Sequence, residues 1–309
     1  MSPHPSHRIA RGRPAFVLAL SLTAGYAVVE LVGGLWTGSL ALLGDAGHMF
    51  SDAGALAVAA LAARLARRPP GARHTYGWQR AEVIGALLNS LLMLAIIVLL
   101  AVEAVQRLIA PREIMASGVI VIALIGMLVN GVCAYLLSRG EPDLNARAAL
   151  LHVIGDLVSS FAVLIAGAVI YATGWLPIDP ILSLVICALI LATTLKLLRD
   201  ALHVLMEGVP PSVELGAIGK ALATVPGVVS VHDLHVWSLT PDSVALSAHV
   251  ELEDLQRWPV ILAAASEMLR GRFGIEHATL QPEIRGSTAA PQSAVVRLHR
   301  GIQRPMSDN

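Results

Sequence analysis

His48 and Asp52 stand four residues apart in GDAGHMFSDAGAL, and His152 and Asp156 repeat that spacing in LLHVIGDLVSS. On a helix, positions i and i+4 share a face one turn apart. Each segment therefore aims an imidazole and a carboxylate in one direction. Two such helices face to face would offer two nitrogens and two carboxylate oxygens, a tetrahedral set suited to Zn²⁺ or a similar divalent ion. Both pairs lie inside apolar sequence, where ionisable groups are costly and mark an ion or proton path. A cluster of polar side chains gluing helices together is the simpler alternative. Two aspartates in hydrocarbon, however, need more counter-charge than two neutral imidazoles supply.

These pairs must be positioned by membrane helices. The chain is 55% hydrophobic and only 14% charged, with a mean hydropathy of +0.68, beyond the range of soluble domains. Six stretches are long and apolar enough to span a bilayer, near 15–36, 40–63, 82–108, 117–137, 146–172 and 178–198. The second and fifth carry the His/Asp pairs and are the weakest by hydropathy. The basic residues fall on one side: Arg8, Arg11 and Arg13, then Arg64, Arg67, Arg68, Arg73 and Arg80, then Arg139 and Arg147, then Lys196 and Arg199. The positive-inside rule places both termini in the cytoplasm. The first apolar run has no good cleavage site and reads as a retained span. Cys133 and Cys187 sit in apolar runs and read as buried small hydrophobes.

From Val209 to Arg285 the pattern changes to that of a small soluble domain. A helical pattern over 213–225 is followed by alternations through 231–239 and 244–252, a helix over 259–273 and a strand over 278–283. This α-β-β-α-β order suits a two-layer α+β unit with an antiparallel sheet. The expected domains are 1–208 in the membrane and 209–285 outside it, with 286–309 a mobile tail. Asp45 shares the face of Asp52 but is not taken as a ligand. Asp179, at the start of the sixth span, is expected at the outer aqueous boundary, capping its own helix.

DAGHMFSD, HTYGWQRAEVIGAL, LHVIGDLVSS, DPILSL and VHDLHVW, in that order, resemble the cation diffusion facilitator family, in particular its zinc-transporting branch. The resemblance runs from about Arg13 to Ile284. It implies an α-helical membrane protein with six transmembrane helices and a C-terminal cytoplasmic ferredoxin-like α+β domain that helps a homodimer form. It makes His48, Asp52, His152 and Asp156 the ligands of a transported ion, Zn²⁺ first and Cd²⁺ or other divalent metals beside it. His232 and His249 match positions that bind metal in some members, while Gln281 and Glu283 replace a histidine and an aspartate of the last strand. His232, His249 and Glu283 are thus a second candidate metal site, and His74 a candidate in the loop after the second span. A histidine-rich collecting loop is absent.

The function expected is efflux of divalent metal from the cytoplasm by proton antiport, across what would be a bacterial inner membrane. The partners expected are a second copy of the chain, membrane lipid and protons as counter-substrate, with no nucleic acid. No phosphate-cradling glycine-lysine loop is present to drive transport with ATP. Two other classes remain open. A membrane metalloenzyme would need an open coordination position and a separate base. A membrane metal sensor would signal through the cytoplasmic domain without moving metal.

Overall fold

The computed structural model describes residues 13–66, 71–138, 144–240, 243–285 and 298–299. Six long helices come first: α1 (Arg13–Thr37), α2 (Leu40–Ala66), α3 (Ala81–Ile109), α4 (Ala116–Ser138), α5 (Leu144–Thr173) and α6 (Ile178–Leu205). Among the described residues, four stretches are long and apolar enough to cross a membrane: α3, α4, residues Ala149–Thr173 of α5, and α6. The protein is an integral membrane protein with a helical membrane part. Leu92 and Leu99, two turns apart on α3, are 62% and 70% exposed, as leucines facing lipid are.

The chain divides into two compact units. One holds α1, α2 through Leu61, α3 from Gly85, α4, α5 and α6 through Leu198; the other holds residues from Ala62 to Ile84 and those from Arg199 onward. In the first, Leu42 of α2, Met93 and Ile97 of α3, Ile122 of α4, Val163 of α5 and Ile186 of α6 meet in one apolar core. Close helix contact depends on small residues. A Cβ on Gly126 of α4, for instance, would collide with the Tyr26 hydroxyl of α1.

The second unit contains α7 (Leu215–Ala223), β1 (Val228–Thr240), β2 (Ser243–Leu252), α8 (Trp258–Phe273), β3 (His277–Ile284) and β4 (Leu298–His299). The sheet runs β3-β2-β1-β4. Leu222, Val231, Leu246, Val250, Ile261 and Leu269 fill the layer between helices and sheet. One expectation is corrected: the sheet is mixed. β1 and β2 pair antiparallel, but β3 lies parallel to β2. The cause is α8, a crossover helix that returns the chain to run in the direction of β2. Within the patternless tail, Leu298–His299 pairs with Ser230–Val231 as an edge strand. The rest of the tail, the basic residues Arg8 and Arg11, and Arg67, Arg68 and Arg139 lie outside the described residues.

Candidate metal centre

α2 and α5 bring the two His/Asp pairs together. Nitrogen and oxygen atoms of His48, Asp52 and His152 all lie within 4.8 Å of one another. His152 Nε2 is 3.2 Å from Asp52 Oδ2 and 3.7 Å from Asp156 Oδ2, and His48 Nε2 is 3.5 Å from Asp52 Oδ2. The two imidazoles meet edge to face with ring centres 5.8 Å apart. Asp156, fourth of the expected set, lies beside the three-residue cluster and is buried.

The unsatisfied atoms decide what this arrangement suits. Asp52 Oδ2 and Asp156 Oδ2 are both buried without a hydrogen-bond partner. Carboxylate oxygens left this way in a low-dielectric interior need a cation or a proton. Imidazole nitrogens and carboxylate oxygens converging from two helices suit a divalent metal of the zinc type. Nearby, Asn89 of α3 donates to Ser51 Oγ at 3.1 Å, tying α3 to the turn that carries Asp52.

A second cluster sits on the sheet. His232 of β1 and His249 of β2 face each other across the antiparallel pair, with ring centres 5.3 Å apart. Glu283 of β3 reaches both, its Oε1 lying 2.6 Å from His249 Nδ1 and its Oε2 3.3 Å from His232 Nε2. Gln281 pairs directly with His249 in the ladder, so Glu283, two residues on, reaches across the diagonal. The His232 ring is buried with neither nitrogen in a hydrogen bond. A buried imidazole with neither nitrogen hydrogen-bonded, between a second imidazole and a carboxylate, also fits a divalent metal.

The remaining candidates go elsewhere. His74 packs on the Trp78 ring at 4.6 Å and belongs to no metal-sized cluster among the described residues. His235 stands 3.8 Å from Asp233, and the His203 ring is 2.9 Å from the Val209 carbonyl. Both cysteines are free and buried. The expectation for Asp179 is corrected twice: it is buried, and it caps α2 instead of its own helix. Its carboxylate accepts from Ser39 Oγ at 2.5 Å and from the Leu40 backbone N–H at 2.8 Å. That cap satisfies helix donors away from water. Two residues escaped the sequence reading, Glu30 and Tyr26 of α1. The only signal was a lone carboxylate in the apolar run YAVVELVGG.

The model of the cation efflux transmembrane domain matches residues 16–206. The chain belongs to the cation efflux family, the cation diffusion facilitators. A second model, the cytoplasmic domain of cation efflux proteins, matches residues 210–285. The chain is 40% identical over 268 residues to zinc transporter ZitB of Escherichia coli strain K12, covering 86% of this chain and 85% of that protein. It is 38% identical over 270 residues to the metal cation efflux system protein CzcD of Cupriavidus metallidurans, with the same coverage. It is 38% identical over 283 residues to zinc transporter ttm-1 of Caenorhabditis elegans, covering 85% of this chain and 69% of that protein. As a cation efflux protein the chain is a transporter and not an enzyme.

Proposed function

We infer that this protein exports divalent metal, Zn²⁺ first, from the cytoplasm in exchange for protons. The single observation that carries this reading is the convergence of His48, Asp52 and His152 with the buried oxygen of Asp156 at their side. Its relatives are named zinc transporters and a metal cation efflux protein. His48, Asp52, His152 and Asp156 hold the ion. Metal needs neutral imidazole and ionised carboxylate, so metal and protons compete for the same atoms. Metal arriving from the cytoplasm displaces protons, and protons arriving from the other side expel the metal. All six long helices span the membrane, with both termini in the cytoplasm of a bacterial inner membrane. Residues 209–285 form a ferredoxin-like domain that pairs with a second copy of the chain.

The experiment is flux into sealed vesicles that carry the purified protein, an imposed pH gradient and an interior pH dye. Zinc and protons should move in opposite directions. Zinc flux that moves no protons would remove the antiport.

The cluster of His232, His249 and Glu283 favours a second role, cytoplasmic metal sensing. If metal binds but never crosses the vesicle membrane, sensing alone remains.

A further inference from the structure

α2 carries two stripes of side chains that face different helices. Asp45, His48 and Asp52 form the first, which meets α5: Asp45 accepts from Ser159 Oγ at 2.7 Å, and Asp52 Oδ2 lies 3.2 Å from His152 Nε2. Gly47, Ser51, Gly54 and Val58 form the second, one residue, or about 100°, around the helix. This second stripe meets α3. A Cβ on Gly47 would come 3.3 Å from Ile96 Cγ2, one on Gly54 would come 3.4 Å from Asn89 Oδ1, and one on Gly85 of α3 would collide with Val58. These pairs fall in step along one antiparallel seam, in which small residues let side chains of the other helix press onto the backbone.

A single polar tie crosses the seam. Asn89 Nδ2 donates to Ser51 Oγ at 3.1 Å, and among the described residues no other side-chain hydrogen bond joins α2 to α3. The tie stands level with the metal centre, because Ser51 immediately precedes Asp52. The Asn89 amide reaches from Ser51 to Gly54 and so grips the turn that contains Asp52. Apolar contacts between membrane helices resist rotation weakly, since lipid tails offer much the same contacts. A hydrogen bond is directional, and a polar group that loses its partner in hydrocarbon finds no substitute there. The tie therefore fixes what the apolar seam leaves loose, the rotation of α2 at Asp52.

That rotation matters to the ion. Asp52 Oδ2 is the atom both imidazoles approach, at 3.5 Å from His48 Nε2 and 3.2 Å from His152 Nε2. It is buried with no hydrogen-bond partner of its own, so the helix that carries it sets its place. Metal ligands must be held within ~0.5 Å of the geometry the ion requires, and groups outside the ligand shell do the holding. We propose that Asn89 is a positioning residue of the metal centre: through Ser51 it holds Asp52 at the spacing zinc requires, without touching the ion. The chain thus couples α3, which carries none of the four ligands, to the fit of the metal.

This inference rests on the reading of His48, Asp52, His152 and Asp156 as the ligands of the ion, and the test separates the two. Zinc and cadmium are titrated into the purified full chain with the sheet cluster disabled by Glu283→Gln and His249→Ala. In that background Asn89→Leu and Ser51→Ala should each weaken zinc binding roughly tenfold, the low end for an outer-sphere partner. The two together should weaken it no further, because both remove the same bond. Cadmium, a larger ion that demands less exact spacing, should lose less than zinc. Ser51→Thr keeps the hydroxyl and should bind as the parent does. Ser51→Ala removes one oxygen and carries the test if Asn89→Leu misfolds. A tie that only stabilises the fold would lower the melting temperature and leave both affinities and their ratio unchanged, and that result overturns the proposal. So does full additivity of the two substitutions. Undiminished zinc binding by Asp52→Asn would overturn the metal centre and the proposal with it. Lost binding in Asp52→Asn beside parental affinity in Asn89→Leu and Ser51→Ala would overturn the positioning role alone.

Discussion

Ser39, the residue before α2, donates its hydroxyl to Asp179 at the start of α6, 2.5 Å away and 140 positions on in the sequence. The same carboxylate receives the Leu40 N–H at 2.8 Å and the Ala41 N–H at 3.4 Å. Asp179 thus does for α2 what an N-cap residue ordinarily does from within its own helix. The consequence reaches the metal centre, because α2 is the helix that carries His48 and Asp52. Its rotation and height are pinned from α6 two turns before His48. A negative charge at the positive end of the α2 dipole adds to the effect.

Asp179→Ala is therefore expected to destabilise the membrane unit by about 1–3 kcal/mol, the cost of stranding buried backbone donors. Asp179→Asn keeps an acceptor and should lose less. Thermal unfolding of both proteins in detergent checks this. An alanine variant as stable as the asparagine variant would mean that the cap contributes nothing.

Asp52→Asn and His152→Ala each remove one ligand from the cluster of three. Either change should weaken zinc binding by more than the roughly 10–100-fold lost with an outer-sphere partner. Transport should fall with it while the protein stays folded. Calorimetric titration beside vesicle flux makes the comparison. Wild-type flux in either variant would place the ion elsewhere.

His48→Asp should change metal choice and leave transport in place. A hard oxygen in place of a borderline nitrogen favours Mn²⁺ relative to Zn²⁺. Competition between zinc, cadmium and manganese in the two proteins measures the shift. If the order of preference were unchanged, helix geometry and not this ligand would set selectivity.

What could be read from the sequence was whatever a local repeat encodes. The HxxxD spacing on α2 and α5 places its side chains by helical period alone, and the described cluster uses His48, Asp52 and His152 as that period implies. Glu283 was legible as a carboxylate in a strand, but its reach to both His232 and His249 depends on β3 lying parallel to β2. No alternation pattern encodes that direction. The Ser159–Asp45 hydrogen bond and the Asp179 cap were invisible for a related reason. Each joins segments distant in sequence, at positions fixed only by how the helices pack.

Glu283→Gln should weaken metal binding at the sheet cluster, since the carboxylate is the only anionic member and touches both imidazoles. The measurement belongs in the full chain with the membrane site disabled by Asp52→Asn and His152→Ala, so that only the cytoplasmic cluster can report. Zinc titration of that protein should show one class of site, weakened further by Glu283→Gln. No binding at all in the disabled background would leave the cytoplasmic domain to pairing of the two copies.

Acidification should weaken zinc binding at the membrane site, and the steepness should count its histidines. Only the neutral form of an imidazole binds metal. Two of the ligands, His48 and His152, are imidazoles, so affinity should fall between pH 7.5 and pH 5.5 and return when the pH is raised. His48→Asp removes one imidazole and replaces it with a group that stays ionised over most of that range. The fall for that variant should therefore be shallower than for the wild type. Titrations at fixed pH with the sheet cluster disabled by Glu283→Gln and His249→Ala would isolate the membrane site. Equal slopes for wild type and His48→Asp would mean that His48 does not exchange its proton for metal.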